Sequence, residues 1–155
     1  MKIRRYQKQD EIEPLIQRAV EDIEPEYYSG EQQEHLEEVI PEMNVDFAEK
    51  DRYIYYVAEE EGEIIGVAGF QKESETVAGI FVSPDRKKSG IGSKLLKKLE
   101  EKAREEGLEE METLASLEAE GFYRKNGYSV VKERKQDIEG KDIGIKVMTN
   151  TQKIG

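Results

Sequence analysis

The sequence predicts one α/β (α+β) domain, a sheet of about seven strands with helices on both faces. Three observations carry this. The chain has 155 residues, near the modal size of a single domain, with no repeat, low-complexity tract or linker. Seven strand-like segments are interleaved with four helical stripes. The three central strands are apolar on both faces, which requires cover on both sides. The predicted domain spans residues 1–148, and a tail from 149 to 155 is expected to fray.

Met1 to Tyr6 reads as a short strand. Asp10 then opens a helix, with Glu13 three residues on as a capping box. Ile12, Leu15, Ile16, Ala19, Val20 and Ile23 give that helix one apolar stripe. Pro25 and the pair Tyr27–Tyr28 interrupt it. Ser29, with Gln32 three residues later, caps a second helix with the stripe Leu36, Val39, Ile40 and Met43, and Pro41 is read as its kink or end. Tyr53 to Glu59 and Ile64 to Phe70 flank an acidic turn holding Gly62, the strongest hairpin signal in the chain. A further strand, 75–82, carries Gly79, and glycine inside a strand marks a bulge or a close backbone approach. Ile91, Leu95, Leu96, Leu99 and Ala103 define a helix ending near Gly107. Met111 to Ser116 is a strand, and Ala119 to Asn126 a short helix stopped by Gly127. Tyr128 to Glu133 and Ile143 to Met148 close the sequence as a strand pair around a polar loop with Gly140.

Composition excludes several classes of chemistry. There is no cysteine, hence no disulfide scaffold, thiolate metal site or thiol nucleophile. A single histidine, His35, argues against a His-rich metal centre, and no metal is expected. No apolar run is long enough to span a membrane. The N-terminus, MKIRRYQKQD, is charged with no apolar stretch behind it, which argues against a secretory signal, and the chain reads as cytoplasmic. The net charge of −11 argues against a general nucleic-acid or anionic-membrane binder. Glutamate supplies 28 of the 35 acids, a composition that fits a hot or salty habitat or simply a solvated surface.

Against that background one segment stands apart. From Arg86 to Lys98 the chain carries six basic residues and no acid. The stretch Ser83–Pro84–Asp85–Arg86–Lys87–Lys88–Ser89–Gly90–Ile91–Gly92 leads from a strand into a helix. A glycine-rich turn at a helix N-terminus offers unpaired backbone N–H groups at the positive end of the helix dipole, a site for phosphate. The alternative is an ordinary strand–helix turn with solvated lysines. Walker P-loop spacing fails, because Gly92 is followed by Ser93–Lys94. A dinucleotide fingerprint fails too, because Leu95 stands where its third glycine belongs.

The segment IFVSPDRKKSGIGSKLL resembles the acyl-CoA-binding motif of the GNAT N-acetyltransferase superfamily, V-x-P-x-x-(Arg/Gln)-x-x-G-x-(Gly/Ala) followed by a leucine-bearing helix. Val82, Pro84, Gly90 and Gly92 match, and Lys87 stands at the Arg/Gln position. Residues 116–128, SLEAEGFYRKNGY, resemble the family's second motif through Ala119, Phe122, Tyr123, Gly127 and Tyr128, with Ser116 in place of the usual asparagine. The element order is also that of the family, so the resemblance covers essentially the whole chain. It implies a central twisted sheet, mixed but mostly antiparallel.

The resemblance further implies an acetyl-CoA-dependent N-acetyltransferase in which the amine attacks the thioester directly within a ternary complex. The backbone of Lys88, Ser89, Gly90, Ile91 and Gly92, with Ser93 and the Lys87 side chain, would hold the CoA pyrophosphate. Ile80, Phe81 and Val82 would line the pantetheine arm beside Ser116, Ala119 and Phe122, and the Ile80 N–H would meet the thioester oxygen. Tyr123 would be the general acid at sulfur; the alternative is a core tyrosine anchoring the last helix. Glu73 and Glu75 are the nearest candidate bases, since Thr76 occupies the position most often used and cannot serve. Tyr27, Tyr28, Ser29, Gln32 and His35 fall where the fold places its acceptor wall, although a lone histidine on a Glu-rich helix is more often simply exposed. The net negative charge favours a cationic amine, small molecule or peptide, and the protein is expected to be a monomer or homodimer. Two other readings remain open: a non-catalytic acyl-CoA sensor or partner domain, and a phosphate-binding module for nucleotides.

Overall fold

The computed structural model describes residues 1–150. Its elements are β1 (Lys2–Arg5), α1 (Glu13–Glu21), α2 (Gly30–Ala48), β2 (Tyr53–Glu60), β3 (Glu63–Gln71), β4 (Thr76–Val82), α3 (Ile91–Glu105), β5 (Glu112–Ser116), α4 (Glu120–Lys125), β6 (Tyr128–Ile138) and β7 (Lys141–Asn150). The seven strands form one sheet in the order β1-β2-β3-β4-β5-β7-β6. Every neighbouring pair is antiparallel except β4–β5, which is parallel. The mixed, mostly antiparallel sheet is therefore as expected.

Successive side chains of a strand point to opposite faces, and here both faces are apolar. Ile54, Tyr56 and Ala58 of β2 join a core with Leu95, Leu96 and Leu99 of α3 and Tyr123 of α4. Tyr55 and Val57, the residues between them, join a second core with Leu15, Ile16 and Val20 of α1 and Leu36 of α2. Thus α3 and α4 cover one face and α1 and α2 the other.

Several boundaries differ from the sequence reading, each for a physical reason. Asp10 does not cap α1. Its carboxylate is held by both terminal nitrogens of Arg4 at 2.9 Å and accepts the Gln7 N–H at 2.7 Å. The N-cap position falls to Ile12, with no side-chain cap, while Pro14 suits the first turn. Ser29 and Gln32 do form the capping box of α2. That helix runs through Pro41 to Ala48 rather than ending there. One ladder bond is lost, but Ile40, Val45, Phe47 and Ala48 all pack on the second core, which rewards continuation. The last hairpin is longer than predicted, turning at Glu139 and Gly140. Thr149 and Asn150, assigned to the tail in the sequence reading, belong to β7, and the rest of that tail lies outside the described residues.

Candidate functional site

The site is built on the one parallel strand pair. β4 and β5 pair only at Thr76–Glu112 and Val77–Thr113. Beyond those positions β4 stays with β3 and β5 with β7, leaving a wedge that opens towards the C-terminal ends of both strands. A bulge lies at its closed end: Phe70 faces Val77 and Gly69 faces Gly79, so Ala78 is the extra residue. The Ser83 N–H donates to the Ile65 carbonyl at 2.9 Å. Because N–H directions alternate along a strand, Phe81 and Gly79 also face β3. The N–H groups of Ile80 and Val82 then point to the side where β5 has moved away.

The glycine loop closes the open end of this wedge. Pro84–Arg86 form a 3-10 turn, the Arg86 guanidinium pairs with Glu60 of β2, and the Ser89 hydroxyl donates to the Arg86 carbonyl. Gly90 is the N-cap of α3 at φ +85°, a left-handed conformation that suits glycine, and no side chain caps the helix. A Cβ at Gly90 would meet nothing within 4 Å. The N–H groups of Ile91, Gly92 and Ser93 have no partner inside the helix ladder and face that open ground. At Gly92 the need is different: a Cβ there would come within 3.0 Å of the Phe122 ring, so glycine lets α4 pack against the start of α3. Lys88, Ser89 and Gly90 are exposed, and the Lys87 ammonium pairs with Asp22 at the end of α1.

At the closed end sits Tyr123, 4% exposed. Burial pushes its phenol up to about 12, against a hydrogen bond from Thr113, the last residue of β5 that pairs with β4. Ala119 and Phe122 pack beside it on the same core. The Ser116 hydroxyl donates to Glu118 Oε1 at 2.8 Å. Glu118, which the sequence reading did not single out, lies in the 3-10 turn Leu117–Ala119. Burial raises its carboxyl above the usual range, while Ser116, then its own backbone N–H, then the Lys87 charge hold it down; its Oε2 is buried and makes no hydrogen bond of good geometry among the described residues. Nothing local marks it among 28 glutamates. Its only signal is its place between the motif positions Ser116 and Ala119.

Tyr27, Tyr28, Ser29, Gln32 and His35 come together around the start of α2, facing the β6–β7 hairpin, with unequal freedom. Tyr27 is exposed, whereas Tyr28 is 6% exposed and its hydroxyl accepts the Leu117 N–H at 2.9 Å. Burial, then the charge of Glu118, pushes Tyr28 up to about 12. Gln32 is engaged in the capping box and lies 3.5 Å from the Asp142 carbonyl. His35 is half-buried rather than exposed, its Nε2 donating to the Ile138 carbonyl at 2.6 Å. Glu73 and Glu75 are exposed in the β3–β4 turn, outside the wedge. A separate groove of about 370 Å³ lies beside β1 and α1, where Arg4, Asp10 and Glu59 already satisfy one another. Among the described residues no cluster of acidic or histidine side chains could hold a metal, and no helix is long and apolar enough to cross a membrane.

The acetyltransferase (GNAT) family model matches residues 16–128, from α1 to the start of β6. The chain belongs to that family. GNAT structures similar to it include a GCN5-related N-acetyltransferase from Rhodopseudomonas palustris, at 24% identity and TM-score 0.86, covering 96% of this chain and 94% of that one. PaiA N-acetyltransferase from Thermoplasma acidophilum, solved in complex with coenzyme A, is 18% identical with TM-score 0.74 over 96% and 97% of the two chains. A ribosomal-protein alanine N-acetyltransferase from Escherichia coli is 19% identical with TM-score 0.69 over 99% and 94%. At these identities the likeness establishes the GNAT fold. Comparison with curated protein sequences returned no match.

Proposed function

We propose that the protein transfers an acetyl group from acetyl-CoA to a primary amine, of a small molecule or a peptide, by direct attack in a ternary complex. The observation that carries this is the β4–β5 wedge, with the Gly90 turn at its open end and Tyr123 at its closed end. The residues fit an acyl-CoA. The ground over Gly90 is free, and the amides of Lys88 to Ser93 with Lys87 supply donors for a pyrophosphate. The outward N–H groups of Ile80 and Val82 give a pantetheine arm a strand edge to follow, between Phe81 on one side and Ser116, Ala119 and Phe122 on the other. An activated thioester is the chemistry this donor supplies.

Ile80 then offers a fixed N–H where charge gathers on the thioester oxygen. Tyr123 holds a proton for the departing sulfur; with its phenol raised to about 12, it contributes a hydrogen bond that strengthens as charge develops. Net negative charge favours a cationic acceptor and disfavours nucleic acid or an anionic membrane as partner. A thiol-release assay with acetyl-CoA over amines, polyamines, amino acids and peptides tests the reading. Thiol release that needs one class of amine supports it. Tight CoA binding without release for any amine would instead make the chain an acyl-CoA sensor, and ATP competing equally with CoA would make it a general phosphate module.

A further inference from the structure

We propose that Glu118 is the catalytic base: its carboxylate, in the turn between β5 and α4, receives the acceptor's ammonium group and takes its proton. This rests on the acetyltransferase reading above. The 3-10 turn that carries Glu118 joins β5 to α4, so the carboxyl sits where the acceptor side of the sheet meets the thiol side. Its charge is felt by both phenols, Tyr28 from the α1–α2 connection and Tyr123 from α4. The charge of Lys87, on the β4–α3 loop, also reaches it, although that ammonium is paired with Asp22 at the end of α1. Ser116 fixes Oε1 and leaves Oε2 buried and unpaired.

A buried acceptor atom without a donor is unfavourable to folding and is rare in native structures. A glutamine would fold there with a smaller penalty, so the carboxylate is better explained by what it binds. A buried carboxylate oxygen without a donor selects a cationic N–H donor, and a primary ammonium is that group. Desolvation also makes the carboxylate a stronger base than one in water. The exposed Glu73 and Glu75 have neither property.

The protons balance as follows. Glu118 takes one proton from the ammonium and becomes neutral. The freed nitrogen lone pair forms the C–N bond as the C–S bond breaks. Tyr123 gives its proton to the sulfur and recovers one from the nitrogen, which is left as the amide N–H. Glu118 returns its proton to solvent, so one proton is released per turnover.

The test is Glu118→Gln, which keeps the shape and the bond to Ser116. With the best amine, kcat/KM at neutral pH is expected to fall about 10²-fold or more. Its pH profile should lose the Glu118 limb and follow only the fraction of free amine in solution. CoA affinity should stay within about threefold. Stability supplies a readout independent of turnover. A carboxyl raised in the folded state leaves stability full below the ordinary glutamate range and lowers it as pH rises through the raised value. The melting temperature of E118Q relative to the wild type should therefore climb with pH. Unchanged kcat/KM and pH limb in an active protein would overturn the proposal alone. So would a loss confined to CoA affinity, which would assign Oε2 to a pantetheine amide, or a loss of stability at every pH, which would make the carboxyl structural. No thiol release by the wild type with any amine would overturn the underlying reading as well.

Discussion

The glycine turn after β4 and the wall around the start of α2 flank the same wedge but are made of different material. The turn is backbone: Gly90 in a left-handed conformation, open ground above it, and first-turn amides pointing outward. The wall is side chains of one segment, residues 27–35, several already engaged by backbone groups from distant parts of the chain. Tyr28 holds Leu117, Gln32 caps its own helix, and His35 holds the last hairpin. A ligand can use the turn as it stands, whereas at the wall it meets residues whose first duty is structural. Substitutions in the turn should therefore abolish binding with modest effects on stability, and substitutions in the wall should do the reverse.

The largest expected effect is at Gly90. With CoA at a hundred times its dissociation constant, mass action stabilises the wild type by about 2.7 kcal/mol, a rise of roughly 5–11 °C for a domain of this size. Gly90→Asp should erase that rise by placing a carboxylate over the amides. Aspartate and asparagine both tolerate positive φ better than most residues, so Gly90→Asn, matched in strain but uncharged, should keep part of it. A folded Gly90→Asp variant with an undiminished thermal shift would place CoA elsewhere.

Next comes Tyr123→Phe, which tests a residue at the buried junction of the two regions. Loss of the donor should cost about 10- to 100-fold in kcat, roughly 1.4–2.7 kcal/mol, at the low end for general acid help because the phenol is so weak an acid. The lost contact with Thr113 should also lower stability by about 1 kcal/mol, or roughly 2–4 °C. Thr113→Val separates the two roles by removing the contact and keeping the phenol. Lost stability with nearly intact kcat in Tyr123→Phe, matched by Thr113→Val, would make Tyr123 a packing residue only.

At the wall, Tyr28→Phe should act through stability. It leaves the half-buried Leu117 N–H without its acceptor, a penalty of about 1–3 kcal/mol. Melting should fall by roughly 2–12 °C, with CoA affinity little changed. Unaltered melting with a raised KM for the amine would make Tyr28 a substrate contact instead.

The same contrast explains what could be read from the sequence. The strands were legible from their apolar, β-branched runs, and the bulge beside Gly79, the Ser29–Gln32 cap and the Gly90 turn because each rests on a residue type with few conformational alternatives. Asp10 misled because a better partner, Arg4, arrives from β1, and propensity cannot see it. As a possible helix end Pro41 misled, because local cost was outweighed by tertiary packing of the residues after it. Glu118 was invisible for a third reason. Its distinction is a buried carboxylate oxygen left without a partner, and burial belongs to the assembled wedge rather than to any window of sequence.

The smallest effect should come from Lys87, and its sign is the informative part. Its ammonium is paired with Asp22, yet the two side chains are 56% and 38% exposed, so the pair itself is worth at most about 1 kcal/mol. An incoming pyrophosphate must draw the lysine from Asp22 or share it. Lys87→Ala should therefore weaken CoA by only about two- to fivefold, less than a free lysine at a phosphate would give. Asp22→Asn should tighten CoA by a similar small factor, because the lysine is released and a nearby negative charge is removed. Both effects should fade as salt rises, since exposed charges are screened over about 10 Å at 0.1 M. In the double variant, the benefit of Asp22→Asn should shrink to what charge removal alone provides. Titrating CoA against all four proteins at two salt concentrations measures that coupling. Weaker binding in Asp22→Asn would show that the pair positions Lys87 for the phosphate instead of competing with it.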